Sequence, residues 1–163
     1  MTLRAAPLSP ALTEVSGALH RAAGFAEPWS ADSFANLLAT PGTAGVLALD
    51  DDQPLGLVLW RMAADEAEIL TLGVPPEHRR RGIGRFLLEA ASAAMRESGV
   101  RRLFLEVAVD NVAAIALYRS LDFRPAGRRP GYYRGADGPV DALILAREYI
   151  FTPRSSGERD AQP

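Results

Sequence analysis

The sequence contains no cysteine and no lysine; all 18 of its basic residues are arginine. The first absence excludes disulfides, thiolate metal sites and any acyl group carried on a cysteine. The second removes Schiff-base and general-base lysines. The only two histidines, His20 and His78, have no nucleophile motif near them, which argues against a Ser-His-Asp hydrolase and against a histidine metal site. No metal is expected. No apolar run approaches the roughly 20 residues of a membrane span, and Met1-Thr2-Leu3-Arg4 is not followed by a segment of signal-peptide length, so a cytoplasmic protein without membrane contact is expected. A net charge of -2 argues against a general nucleic-acid binder, so any basic site must be local.

With 163 residues and 48% hydrophobic content, the chain fits one compact domain, placed at residues 1–151, followed by a polar, turn-rich flexible tail at 152–163. Leu3 to Ala6 is compatible with an edge strand. Ser9-Pro10 predicts an N-cap and first turn for a helix reaching about Ala23, with Leu12, Val15, Ser16 and Leu19 inward. Ser30 caps a second helix with Phe34, Leu37 and Leu38 inward. Thr43 to Leu49, Leu55 to Met62 and Glu66 to Val74 form a meander, the first two runs joined by a hairpin connection of more than minimal length at 50–54. A helix with Ile83, Phe86, Leu87, Ala90, Ala91, Ala94 and Met95 at helical spacing runs to Ser98 and stops at Gly99. Leu103 to Val107 is a strand that puts Phe104 and Glu106 on one face. Asp110-Asn111 caps a short helix with Val112, Ile115, Tyr118 and Leu121 along one side. Phe123 to Arg128 and Val140 to Ile150 are the last strands, separated by a glycine-rich loop, Gly131 to Pro139.

The stretch Arg79-Arg80-Arg81-Gly82-Ile83-Gly84 stands where a strand hands over to a helix. The first N–H groups of a helix lack intrahelical partners and its N-terminus is positive, so two glycines there let an anion approach the main chain. An ordinary helix entry with a solvated arginine run has the same pattern. A nucleoside-triphosphatase is disfavoured, because the turn lacks the Gly-Lys-Ser/Thr of a P-loop.

An R/Q-x-x-G-x-G/A turn between the fourth strand and third helix, in this element order, resembles the GNAT acetyltransferases. The phrases LEVAVDNVAAIALYRSLDF, RRPGYYRGADGPVDALIL and EPWS resemble the RimI-type branch, the bacterial ribosomal-protein-alanine N-acetyltransferases. The resemblance implies an α/β (mixed) fold: a mostly antiparallel sheet of about seven strands, helices on both faces, and splayed fourth and fifth strands. Acetyl-CoA would lie between those strands. Its pyrophosphate would meet the turn formed by Arg79, Arg80, Arg81, Gly82, Ile83, Gly84 and Arg85, and its pantetheine would lie along Leu72 and Val74 near Asn111. By the same likeness Glu106 is the general base and Tyr118 the general acid. Trp29, Tyr132 and Tyr133 would flank the acceptor, a protein N-terminus, in a monomer or weak dimer.

These roles are chemically sensible. A carboxylate beside Phe104 would be poorly hydrated, which raises its pKa towards the working range of a base. A tyrosine near its reference pKa of 10 could protonate a leaving thiolate of about 8.5 at an uphill cost of roughly 2 kcal/mol. From the residues alone, Glu106 also fits an exposed sheet face, Tyr118 a core position, and Tyr132 and Tyr133 loop aromatics packed on the sheet. Asp137 and Asp141 could favour a cationic acceptor or simply make turns. One departure from the resemblance is Asp122, where glycine is common, so a locally different helix cap is expected. A small-molecule amine or lysine acetyltransferase, and a non-catalytic CoA-binding module, remain alternatives.

Overall fold

A computed structural model describes residues 1–149. Seven strands form one sheet in the order β1-β2-β3-β4-β5-β7-β6. The strands are β1 (Leu3–Pro7), β2 (Thr43–Asp50), β3 (Gln53–Ala63), β4 (Glu66–Gly73), β5 (Arg102–Ala108), β6 (Arg124–Gly135) and β7 (Gly138–Glu148). Helices α1 (Thr13–Ala22), α2 (Ala31–Ala39), α3 (Ile83–Glu97) and α4 (Val112–Ser120) complete the architecture. Every strand pair is antiparallel except β4 with β5. This is the mixed α/β arrangement that the resemblance implies.

Strand alternation distributes the core over both sheet faces. Val46, Ala48, Val58 and Trp60 join Leu87, Ala91 and Met95 of α3 and Tyr118 of α4. Leu47, Leu57 and Leu59 turn the other way, onto Leu19 of α1 and Phe34 of α2. The sheet is therefore sandwiched, with α3 and α4 on one face and α1 and α2 on the other.

Several local expectations change. The hairpin between β2 and β3 is tight, with only Asp51 and Asp52 between the strands. Asp51 supplies the left-handed residue at φ 52. Helix α1 is preceded by a separate 3-10 turn, Pro10–Leu12, and the Ser9 side chain makes no capping bond. Val112, expected to face inward, is 73% exposed at the first position of α4, beyond the packed part of the helix. Asp122 adopts φ 65, the left-handed conformation that glycine takes most readily, and so ends α4 without a glycine.

The largest change concerns the supposed loop from Gly131 to Pro139. Most of it is strand: β6 and β7 form a long ribbon closed by a turn at Ala136 and Asp137. Between the pairs Arg129↔Ala142 and Tyr133↔Val140, β6 carries three intervening residues against one on β7. Pro130, Gly131 and Tyr132 are thus thrown out as a bulge, which glycine and proline tolerate. The expected tail at 152–163 and the end of the expected last strand, Ile150, lie outside the described residues.

Candidate active site

The register between β4 and β5 spans only Glu66↔Arg102, Ala67↔Leu103 and Glu68↔Phe104. Beyond Glu68 the strands part. A cleft of about 1080 Å³ opens there, and its walls include Trp29, Leu72, Glu106, Asn111, Tyr118, Tyr132 and Tyr133. Seven residues singled out from the sequence are thereby brought together, although they come from six different elements or loops.

A bulge in β4 shapes one wall. Leu59 pairs with Thr71 and Trp60 with Ile69, leaving Leu70 as an extra residue. The inserted residue shifts the phase of the strand by one. Ile69 belongs to the core beneath α3, Leu70 packs with the α1 and α2 cluster, Thr71 meets His20 of α1, and Leu72 turns back to the α3 side. Two consecutive residues, Leu70 and Thr71, thus face the same side just where β4 lines the cleft.

Glu106 and Tyr118 enter the cleft from opposite sides of the sheet. On β5, Leu103, Leu105 and Val107 join the core under α3 and α4, so Glu106 projects from the other face. Tyr118 comes from α4 within that core, 8% exposed and edge-on to Phe123 at 5.7 Å. Its hydroxyl has no hydrogen-bond partner among the described residues. Burial, with Tyr133 adding to it, pushes the phenol up to about 12. The hydroxyl therefore stays protonated across the working pH range and is available as a donor towards the cleft.

Glu106 is not the isolated carboxylate expected beside Phe104. Its Oε1 accepts a 2.7 Å hydrogen bond from Arg129 Nη1, and the guanidinium carbon lies 4.1 Å from the Tyr132 ring centre. Tyr132 and Tyr133 meet edge-to-face at 5.0 Å. Tyr133 lies within electrostatic reach of both Glu106 and Tyr118; burial, then the Glu106 carboxylate, pushes its hydroxyl up from the ordinary phenol range. The bulge holding these groups is pinned by Asp141, whose Oδ1 accepts from the Gly131 N–H at 2.8 Å and whose Oδ2 accepts from Arg128 Nε at 2.7 Å. The Gly131 bond, then Arg128, holds this carboxyl below its usual range. Of the two roles open to Asp141, turn formation is the one the geometry supports.

The arginine-glycine turn stands at the start of α3. Gly82 is the N-cap of α3 at φ 79, where an L side chain would be strained, and no side chain caps the helix. The N–H groups of Ile83, Gly84 and Arg85 are therefore left for an external acceptor, and the space beside Gly82 is open for 4 Å. A pyrophosphate fits this cradle. The arginine side chains have other work: Arg81 Nη1 lies 3.4 Å from His78 Nδ1, and Arg85 donates to Ser120 Oγ at 2.7 Å. Arg79 donates to the carbonyls of Val74 at 2.9 Å and Ala23 at 2.7 Å, stapling the end of β4 to the end of α1. Arg80 contributes the other left-handed residue of the turn at φ 59. Val74 packs against the core on the α3 side, and Asn111 uses its Oδ1 to cap α4 through the Ala114 N–H at 3.3 Å.

Residues 13–123 match the Acetyltransferase (GNAT) family. The chain belongs to the GNAT acetyltransferases. It is an acetyl-CoA-dependent N-acetyltransferase by that membership, and it shares 36% identity over 137 residues with the [ribosomal protein bS18]-alanine N-acetyltransferase of Escherichia coli K12, covering 82% of this chain and 90% of the relative. The Salmonella typhimurium protein of the same name is 43% identical over 96 residues, 59% of this chain and 65% of the relative. The crystal structure of the ribosomal-protein-S18-alanine N-acetyltransferase from Escherichia coli superposes with a TM-score of 0.86 at 29% identity, covering 94% of this chain and 98% of that one. Within this GNAT fold the parted β4 and β5 coincide with the expected splay.

Sequence reasoning missed Arg129 and His20. Arg129 offers no local signal, because its partner lies 23 residues away across two strand pairings. His20 offers one: it lies four residues after Ser16, on the inward stripe of α1. It is 2% exposed and lies in the cleft wall, and burial pushes its imidazole down to about 4. The folded chain therefore holds a neutral ring that the unfolded chain would protonate below its reference pKa of about 6.5. Its contribution to stability is complete above about pH 6.5 and is lost as the pH falls to about 4. The loss is at most about 3 kcal/mol, lessened by solvent screening at the cleft mouth. In urea melts from pH 7.5 to 4.5, the stability gap between the wild-type chain and His20→Asn should narrow as the pH drops; a constant gap would contradict the buried neutral ring.

No helix among the described residues is long and apolar enough to cross a membrane, and no group of three acidic or histidine side chains among them could hold a metal.

Proposed function

We propose that residues 1–151 form a single catalytic domain that transfers acetyl from acetyl-CoA to the α-amine of a ribosomal protein beginning with alanine. In this reading it acts in the cytoplasm as a monomer or weak dimer. The supporting observation is the cleft in which Glu106 and Tyr118 converge from opposite sheet faces, one towards the acceptor side and one towards the donor side. Acetyl-CoA supplies the activated acyl group. The N–H groups of Ile83, Gly84 and Arg85 bind its pyrophosphate, and Leu72 and Asn111 line the path of its pantetheine.

Trp29, Tyr132 and Tyr133 guide the peptide end to Glu106. An α-amine with a pKa near 8 is neutral for about one molecule in ten at pH 7, a cost of roughly 1.4 kcal/mol, against more than 4 for a lysine. A single modest base therefore suffices. Glu106 accepts the amine proton as the C–N bond forms, the C–S bond breaks, and the departing sulfur takes a hydrogen bond from Tyr118. With no cysteine to carry the acetyl group, the attack is direct within a ternary complex.

The test is mass spectrometry of products from acetyl-CoA with three acceptors: an alanine-first bS18 N-terminal peptide, the same peptide with a blocked α-amine and a free lysine, and a small amine. One added acetyl on the first peptide, at a rate at least tenfold above the other two, is expected. Preferential acetylation of the small amine or the lysine would refute the proposed substrate class.

A further inference from the structure

His20 is buried, titratable and unused by the chemistry above, yet the rings of Phe25, Trp29 and Phe34 and strand β4 meet on it. Phe25 stacks on one face of the imidazole at 4.0 Å and 9°, and Trp29 stacks at 4.9 Å and 11°. The backbone N–H of Trp29 donates to Nδ1 at 2.9 Å. That donor fixes the tautomer: Nδ1 must hold its lone pair, so Nε2 carries the hydrogen and donates to Thr71 Oγ1, 3.1 Å away. The ring thus ties the segment between α1 and α2 to the bulged part of β4.

A close contact next to it tightens the same junction. A Cβ on Gly73 would come within 3.1 Å of the Phe25 ring and 3.2 Å of Ala23 Cβ, so the segment sits tightly on β4, and a side chain at 73 would push it away by a few tenths of an ångström. Trp29 and Phe25 form one lip of the cleft, and Thr71 and Leu72 form its β4 wall. The lip has no regular secondary structure of its own from Gly24 to Ser30; Arg79 staples its root at Ala23 to the end of β4, and the His20 bridge ties its far end at Trp29 to Thr71.

We propose that His20 is the positioning residue for acceptor binding, its neutral imidazole bridging the Trp29 N–H to the Thr71 hydroxyl and so fixing the acceptor lip against the strand that lines the donor path. This deepens the proposed function and rests on it for the identity of the acceptor. The lip carries Trp29, whereas the phosphate cradle stands at the start of α3 and is untouched by the bridge. Loosening the lip weakens acceptor binding without weakening donor binding.

Two half-isosteres separate the two hydrogen bonds. In His20→Asn the side-chain carbonyl can take the place of Nδ1 and keep the Trp29 bond, whereas His20→Gln reaches towards Thr71 and forfeits it. The expected result for His20→Gln is an acceptor KM raised roughly tenfold, the loss of one buried hydrogen bond, with the acetyl-CoA KM within about twofold. His20→Asn should bring the acceptor KM back to within about threefold. Thr71→Val, which cuts the same hydrogen bond as His20→Asn and leaves α1 intact, should match His20→Asn, with the acceptor KM raised no more than about threefold and the acetyl-CoA KM unchanged. Hydrogen exchange needs no turnover: amide protection should fall over residues 24–30 in His20→Gln and be retained in His20→Asn. Equal KM shifts for both substrates, indistinguishable Asn and Gln variants, or unchanged exchange over 24–30 would overturn the proposal. If the wild-type chain instead prefers a small amine, the substrate reading fails on that control. The exchange measurement still decides the role of His20.

Discussion

Glu106→Gln should lower kcat/KM for an alanine-first peptide by roughly 10²- to 10⁴-fold at pH 7, the usual range for a lost general base. Gln keeps the shape of the side chain and an oxygen for Arg129, whose 2.7 Å hydrogen bond holds Glu106 in place, so the fold should be undisturbed. A change of about 0.5 kcal/mol at a half-open site corresponds to a melting shift of about 2 °C in a chain this long. The defect should shrink as the pH rises past about 8, because bulk solvent then deprotonates more of the α-amine. Steady-state kinetics from pH 6.5 to 9.5 with matched thermal melts provide the check. A variant as active as the wild-type chain would put the base elsewhere, with Glu68 on β4, another carboxylate in the cleft wall, as the next residue to replace.

Tyr118→Phe should lower kcat by about 10- to 150-fold, the effect of a hydrogen bond to a charged group worth about 1.5–3 kcal/mol. Its stability should hardly change. The hydroxyl has no partner among the described residues but opens onto the cleft, where water can reach it, so deleting it keeps the ring packed on Phe123 and leaves no buried polar group unpaired. A melting temperature equal to or slightly above that of the wild-type chain is expected. With its phenol pushed up to about 12, Tyr118 stays protonated through pH 10, and the wild-type profile should show no falling limb at the ordinary phenol value. A tenfold loss of stability with kcat unchanged would make Tyr118 a core residue only, and a fall in kcat centred near pH 10 would contradict the buried, protonated hydroxyl.

The sequence reveals those parts of the fold whose signals are local. Ser30 and Asn111 cap the helices they precede, Gly82 starts α3 in the left-handed conformation that its position demands, and the alternation in β5 separates Glu106 from the core residues beside it. Features created by pairing between distant segments leave little trace. The extra residue at Leu70 is hidden because apolar residues flank it on both faces, Ile69 and Leu72 on one and Leu70 itself on the other, so the phase slip leaves no polar-apolar signature there. The β6–β7 ribbon is disguised as a loop because its bulge and turn require glycine and proline. Arg79 looks like an anion ligand by its place in an arginine run, yet two backbone carbonyls from different elements claim its side chain. The resemblance to a family locates the site; the tertiary contacts of Arg79, Arg129 and His20 explain how its walls are held.

The parting of β4 from β5 gives the sheet two internal edges where most sheets have none. On the outside of a protein, unpaired peptide groups along a strand invite another chain to add to the sheet. Here they are recessed between two layers of helices, where a neighbouring sheet has no access and a single extended guest does. A guest carrying its own amides can add to either edge as a short strand would. Selection for such guests resides in the host's main chain, so side chains along the gap can change while the preference for amide-bearing molecules stays.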